Sequence, residues 1–216
     1  MSLRAILPVA LFVAALFGAA AAARAQPAPP QPGQICFAAP PAQTHDGFYA
    51  RIQAGGGYLT ARNGTTDVSG AQVALGLSAG AVVFPNLAVF AALFFHVALD
   101  PAIRTRGASM PVSGSSLEND SFGAGATYYL EPLNLYGSAA ITGTSVQLFD
   151  ASDEQLAGSG TGIGFQTMVG KEWWAGREWG VGLAGEVTGA WMGGSAASGG
   201  RWSSFSYTLA FSATYN

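Results

Sequence analysis

From Gly47 onward the hydrophobic positions of this chain recur every second residue. That is the period of a strand with two unlike faces, not the 3.6 of an amphipathic helix. The clearest stretch runs from Leu87 to Leu99. Leu87, Val89, Leu93, Phe95 and Val97 fall on one face, with Ala88, Phe90, Phe94, His96 and Ala98 on the other. Before it, Val73, Leu75, Leu77 and Val83 alternate with Gln72, Ala74, Gly76 and Ser78. At the far end, Phe205, Tyr207, Leu209, Phe211 and Tyr215 alternate with Ser204, Ser206, Thr208 and Thr214. The same period marks 48–60, 121–130, 134–148, 160–170 and 179–192, which gives eight predicted strands. Each is long enough to supply the roughly 9–11 residues of a tilted membrane-spanning strand.

The connections alternate in character. Phe84-Pro85-Asn86-Leu87 and Leu130 to Asn134 are tight turns, and Lys171 to Glu178 is a somewhat longer one. The links near 61–70, 100–120, 149–159 and 193–201 are polar or glycine-rich. With both chain ends on the periplasmic side, short turns face the periplasm and long links face outward, as bacterial barrels arrange them.

A soluble barrel with the same strand count would bury its apolar face and cover its outside with charge. Here only 10% of residues are charged, and the predicted strands contain just Arg51 and Glu186. The alternate face is Gly, Ala, Ser, Thr and Gln, which suits a narrow enclosed lumen. Charge therefore avoids both faces, as it does when one of them meets hydrocarbon. Tryptophans agree: Trp173, Trp174 and Trp179 gather at one predicted strand end, with Trp191 and Trp202 at the other. Two such groups read as interfacial aromatic girdles. A net charge of −3 gives no basic face for nucleic acid.

Arg4, the apolar run Ile6 to Phe17, and Ala23-Arg24-Ala25 have the layout of a signal peptide cleaved near Ala25. The next segment, 26–46, is rich in proline and is expected to be disordered. Its Cys36 is the single cysteine, so no internal disulfide forms. The expected organisation is signal peptide 1–25, Pro-rich segment 26–46 and an all-β, eight-stranded antiparallel up-and-down transmembrane barrel over 47–216.

Residues 47–216 resemble the small outer-membrane barrels typified by outer membrane proteins A and X. The resemblance rests on eight strands, short periplasmic turns and the terminal strand through Tyr207, Leu209, Phe211 and Tyr215. Members usually end on the aromatic itself, whereas Asn216 follows Tyr215 here. The resemblance implies the outer membrane of a Gram-negative bacterium, with its lipid and lipopolysaccharide as surroundings. It also implies that the barrel-assembly machinery reads the terminal strand. No cofactor or metal is implied.

By strand phase Arg51, His96 and Glu186 face the lumen, and an Arg51–Glu186 ion pair is the arrangement the phase allows. His96 with Asp100 at a loop base invites comparison with lipid A-modifying barrel enzymes. The run after His96 lacks their serine- or asparagine-containing pattern, and its phase points away from lipid. Gly158, Gly160, Gly162 and Gly164 recur every second residue, which marks one face of a strand and not a nucleotide loop. Asp150, Asp153 and Glu154 lack calcium-loop spacing. The expected function is a structural or surface-interaction barrel that is not an enzyme. A narrow channel is the first alternative and a lipid A-modifying enzyme the second.

Overall fold

A computed structural model describes His45 and residues 47–105, 108–111, 113–194 and 200–215. The signal peptide, Cys36 and all of the Pro-rich segment except His45 lie outside the described residues. Among the described residues ten strands follow in chain order: β1 (Phe48–Arg62), β2 (Thr66–Phe84), β3 (Leu87–Leu99), β4 (Ala102–Thr105) and β5 (Ala108–Pro111). Then come β6 (Ser116–Leu130), β7 (Leu135–Phe149), β8 (Gln155–Trp174), β9 (Trp179–Gly194) and β10 (Trp202–Tyr215). Every pairing is antiparallel, and β1 closes the cylinder by pairing with both β2 and β10. Eight strands form the closed barrel; β4 and β5 make a hairpin that adds to the outer end of β2.

The register fixes the shape. From Ala50 the pairing passes through Ala79, Ala91, Ala124, Ile141, Phe165, Gly189 and Phe205 and returns to β1 at Thr60, a stagger of ten residues. With eight strands that stagger tilts each one by about 40°. Closure leaves no unpaired edge in the cylinder, the condition hydrocarbon imposes on a sheet. The two tightest turns place Asn86 and Asn134 at φ of 64° and 51°. Asparagine tolerates that left-handed region better than most side chains.

The apolar rows point outward. Ile141, Ile163, Val169, Leu209 and Phe211 are each at least 65% exposed, while their strand neighbours turn into the lumen. Aromatics band this outer face at both ends. Phe48, Tyr128, Trp173, Trp179 and Tyr215 lie toward the end with the tight turns; Tyr58, Phe122, Phe165, Trp191 and Tyr207 lie toward the other. Along their strands, Tyr207 to Tyr215 and Trp179 to Trp191 span about 20 and 30 Å of axial height at that tilt. Their mean, about 25 Å, matches the apolar band of outer-membrane barrels.

Three boundaries differ from the sequence reading. The link expected over 100–120 contains the β4–β5 hairpin and the first turns of β6. β8 continues through Lys171–Trp174, so the connection there is only 175–178. β2 and β8 reach 19 and 20 residues because the ladder continues past the outer girdle. Polar and glycine-rich residues in these extensions, such as Asp67 on β2 and Gly158 and Ser159 on β8, look like a loop where the sheet has left the membrane.

Candidate functional site

The lumen is filled in three tiers. At the end with the tight turns, Arg51 is 4% exposed and sits among tyrosines. Its guanidinium carbon lies 4.1 Å from the Tyr136 ring centroid and 5.4 Å from that of Tyr49. Arg51 Nη2 donates to Glu172 Oε1 at 2.9 Å and to the Tyr129 hydroxyl at 2.8 Å, and Nε donates to Thr214 Oγ1 at 3.0 Å. Thr214 Oγ1 in turn donates to Glu172 Oε1 at 2.6 Å. Below them His45 stacks on Tyr129 at 3.5 Å, approaches Trp174 at 4.9 Å, and shares a 2.7 Å hydrogen bond with Asn134 Oδ1. Side chains therefore fill this mouth.

The middle tier centres on Glu186. His96 Nε2 lies 2.9 Å from Oε1, Gln166 Nε2 donates to Oε2 at 2.8 Å, and Gln53 Nε2 donates to the same oxygen. Both glutamine amides donate to this carboxyl, and the His96 ring nitrogen completes the set of polar groups around it. Hydroxyls pair around it: Ser121 with Thr144 at 2.9 Å and Thr188 with Ser206 at 2.8 Å. A pocket of about 10 Å³ lined by Asn119, Ser121, Thr144 and Gln166 has room for about one water.

Above the outer girdle the interior turns apolar. Leu59, Val68, Leu117, Val146, Met192 and Trp202 pack together, none more than 3% exposed. At this height the outside is mostly polar, with Thr60, Arg62, Asp67, Ser69 and Glu118 beside the exposed Leu156. The barrel thus inverts its pattern along its axis. Below the girdle it is apolar outside with charge inside; above it the arrangement is that of a water-soluble barrel.

Arg51, His96 and Glu186 all face the lumen, with 4%, 1% and 2% exposure. They do not form one pair: Arg51 meets Glu172, and Glu186 meets His96. The expected Arg51–Glu186 contact fails because the two residues sit in different tiers and Glu172 supplies the nearer carboxylate. Glu172 was missed because it fell in the predicted turn. The signal was there in the run Gln166, Met168, Gly170, Glu172, which keeps the inward parity of β8.

Trp173, Trp179 and Trp191 are outward, at 49%, 43% and 65% exposure. Trp174 turns inward toward His45. Trp202 is not a girdle residue: at 2% exposure it belongs to the outer apolar tier, because β10 presents its even-numbered positions inward. Tyr207, Leu209, Phe211 and Tyr215 share the outward face of β10. In the 150–154 turn, Asp150 Oδ1 accepts from Ser152 N, Ser152 Oγ and Glu154 N at 2.8, 2.8 and 2.9 Å. Those bonds, the Ser152 hydroxyl first, hold its carboxyl below the usual range.

No protein-family model matches the sequence, and neither does any curated protein sequence. Among solved structures, the Neisserial surface protein A barrel superposes with a TM-score of 0.53 at 15% identity, over 78% of this chain and 96% of that one. OprG, an outer membrane protein from Pseudomonas aeruginosa, gives 0.41 at 13% identity, over 81% of this chain and 99% of that one. Ail, the attachment invasion locus protein of Yersinia pestis, gives 0.41 at 7%, over 77% and 99%. The fold is that of the small outer-membrane β-barrels.

Proposed function

We propose that this chain is an outer-membrane protein of a Gram-negative bacterium, exported by a signal peptide cleaved near Ala25. Its barrel is closed along the lumen, and its role is structural or surface-interactive and not enzymatic. One observation carries this reading: the three stacked tiers of side chains inside a cylinder whose outer face is an apolar band about 25 Å tall between aromatic girdles. An eight-stranded cylinder is about wide enough for its own side chains, and here three tiers of them occupy it. What then meets the surroundings is the outer end, including the β4–β5 hairpin. The assembly machinery is the partner expected for Tyr207, Leu209, Phe211 and Tyr215.

His96 speaks against lipid chemistry. Its imidazole is held by Glu186 inside the lumen, across the wall from any acyl chain. Unaltered lipid A in a deletion strain agrees with this reading, and loss of a lipid A modification overturns it.

Fractionation tests the location. Release from membranes only with detergent, together with migration that shifts on heating, is the expected result; release by salt or alkali refutes it. Planar-bilayer recording tests closure. A resolvable steady current that changes in Arg51→Ala would replace the closed scaffold with a narrow channel.

A further inference from the structure

The outward face just beyond the outer girdle carries an uneven distribution of charge. Arg62 on β1 pairs in register with Asp67 on β2, which pairs with Arg104 on β4. Arg201 stands two residues before Ser203, the β10 partner of Arg62. All three arginines are exposed. Parity turns them outward: their neighbours Ala61 and Trp202 are buried, and Ile103 packs against the apolar tier.

Asp67 does not neutralise the group. Its contact with Arg62 is 3.4 Å long, with the two side chains 57% and 67% exposed, so water screens it. Three guanidiniums against one carboxylate leave a net charge of +2. Counting nearby Asp100, whose Oδ1 accepts from Gly114 N without losing its charge, the group still keeps a net charge of +1. Beyond β2 and past β3, the outward residues of β6 at this end are Glu118 and Asp120. Among the described residues the basic patch is therefore confined to β10, β1, β2 and β4.

Its height matters as much as its sign. Arg62 lies four residues beyond Tyr58, which is about 10 Å of axial height at the strand tilt. Tyr58 and Tyr207 stack at 6.2 Å at the girdle, the edge of the hydrocarbon. Between them and the arginines lie Thr60 and Ser69, with Ser69 Oγ accepting from the Tyr58 hydroxyl at 3.2 Å. Strand spacing puts Arg104 about 10 Å from Arg62. Ascending from the acyl edge, this face offers aromatic rings, then hydroxyls, then guanidiniums.

We propose that this strip docks the phosphorylated saccharide headgroup of a glycolipid in the outer leaflet. The hydroxyls face its sugars, and Arg62, Arg104 and Arg201 take its phosphates. Arginine suits the task because its planar fork matches phosphate oxygens in pairs. The proposal rests on the outer-membrane reading above, since a chain that never meets the leaflet has no such partner.

The test uses the full chain folded in detergent micelles, with bis-phosphorylated lipid A and its phosphate-free counterpart as probes. Wild-type protein is expected to retain the phosphorylated form preferentially and to lose it in about 0.5 M salt, where charges more than about 4 Å apart are screened. Joint substitution Arg62→Ser, Arg104→Ser, Arg201→Ser is expected to weaken binding roughly a hundredfold, about fivefold for each basic contact. Arg177→Ser, in the turn at the opposite end, leaves it unchanged. Heat-shifted migration confirms that the variants fold. Arg104→Ser alone, on the hairpin outside the closed cylinder, should lose about fivefold even where the triple variant fails to fold. Equal retention of both lipids, or equal binding by wild type and these variants, overturns the proposal. That failure is distinct from failure of the membrane reading, which shows as release of the chain without detergent.

Discussion

Arg51 Nη2 stands 2.9 Å from Glu172 Oε1 with both side chains almost sealed from solvent, at 2% and 0% exposure. A buried pair of this kind contributes little over an apolar filling, but removing one partner strands a charge. Glu172→Gln is expected to destabilise the barrel by about 3 kcal/mol. Arg51→Met together with Glu172→Met is expected to cost less than either change alone. Denaturant unfolding of vesicle-inserted protein, followed by tryptophan fluorescence, measures both; a Glu172→Gln midpoint equal to wild type contradicts the first.

Glu186 gathers three donors, from His96, Gln53 and Gln166. Glu186→Leu leaves all three without an acceptor, at about 1–3 kcal/mol for each donor left unsatisfied. His96→Leu removes one donor and leaves the carboxylate two others. The unfolding midpoint is therefore expected to fall further for Glu186→Leu than for His96→Leu, and the reverse order would refute the placement of Glu186 at the centre of the tier.

Phe165 on β8 lies across Gly189 on β9, and a Cβ added to Gly189 would meet Phe165 Cε1 at 2.5 Å. The glycine lets the ring lie flat along the barrel wall, a cross-strand fit worth about 1 kcal/mol. Gly189→Val should cost about that much. Combining it with Phe165→Ala should cost less than the sum of the two changes, as a double-mutant cycle in the same unfolding assay would show.

Phe211 lies on the lipid face, 69% exposed and near the middle of the apolar band. Phe211→Arg should cost roughly 2–4 kcal/mol in a bilayer. Ser69→Arg, above the outer girdle, should cost close to nothing. Equal penalties at the two sites would mean that the girdles do not mark the membrane boundary.

Much of this was legible along the chain. The period of two over 87–99 and 204–215 names strands, and the odd-numbered outward row of β10 follows from the same alternation. Arg51, His96 and Glu186 were assignable to the lumen because strand parity allows a residue only two directions. Parity also corrects Trp202, whose even number on β10 sends it inward whatever its side chain. The ends of strands were harder. Lys171, Glu172, Glu118 and Asp120 look like loop residues, yet they continue β8 and β6 where the wall faces the interface, water or the lumen.

The sequence by itself determined the strands, their two faces and the sign of the environment on each, because those properties are local and repeat every second residue. Only the tertiary structure decided which lumen charges meet. Closure with a ten-residue stagger brings Arg51 beside Glu172, 121 positions away, and Glu186 beside His96, 90 positions away. It also stacks an apolar tier above a polar one. No local pattern encodes that stagger: it is summed over eight separate registers, and each side chain's partner across the lumen depends on the total.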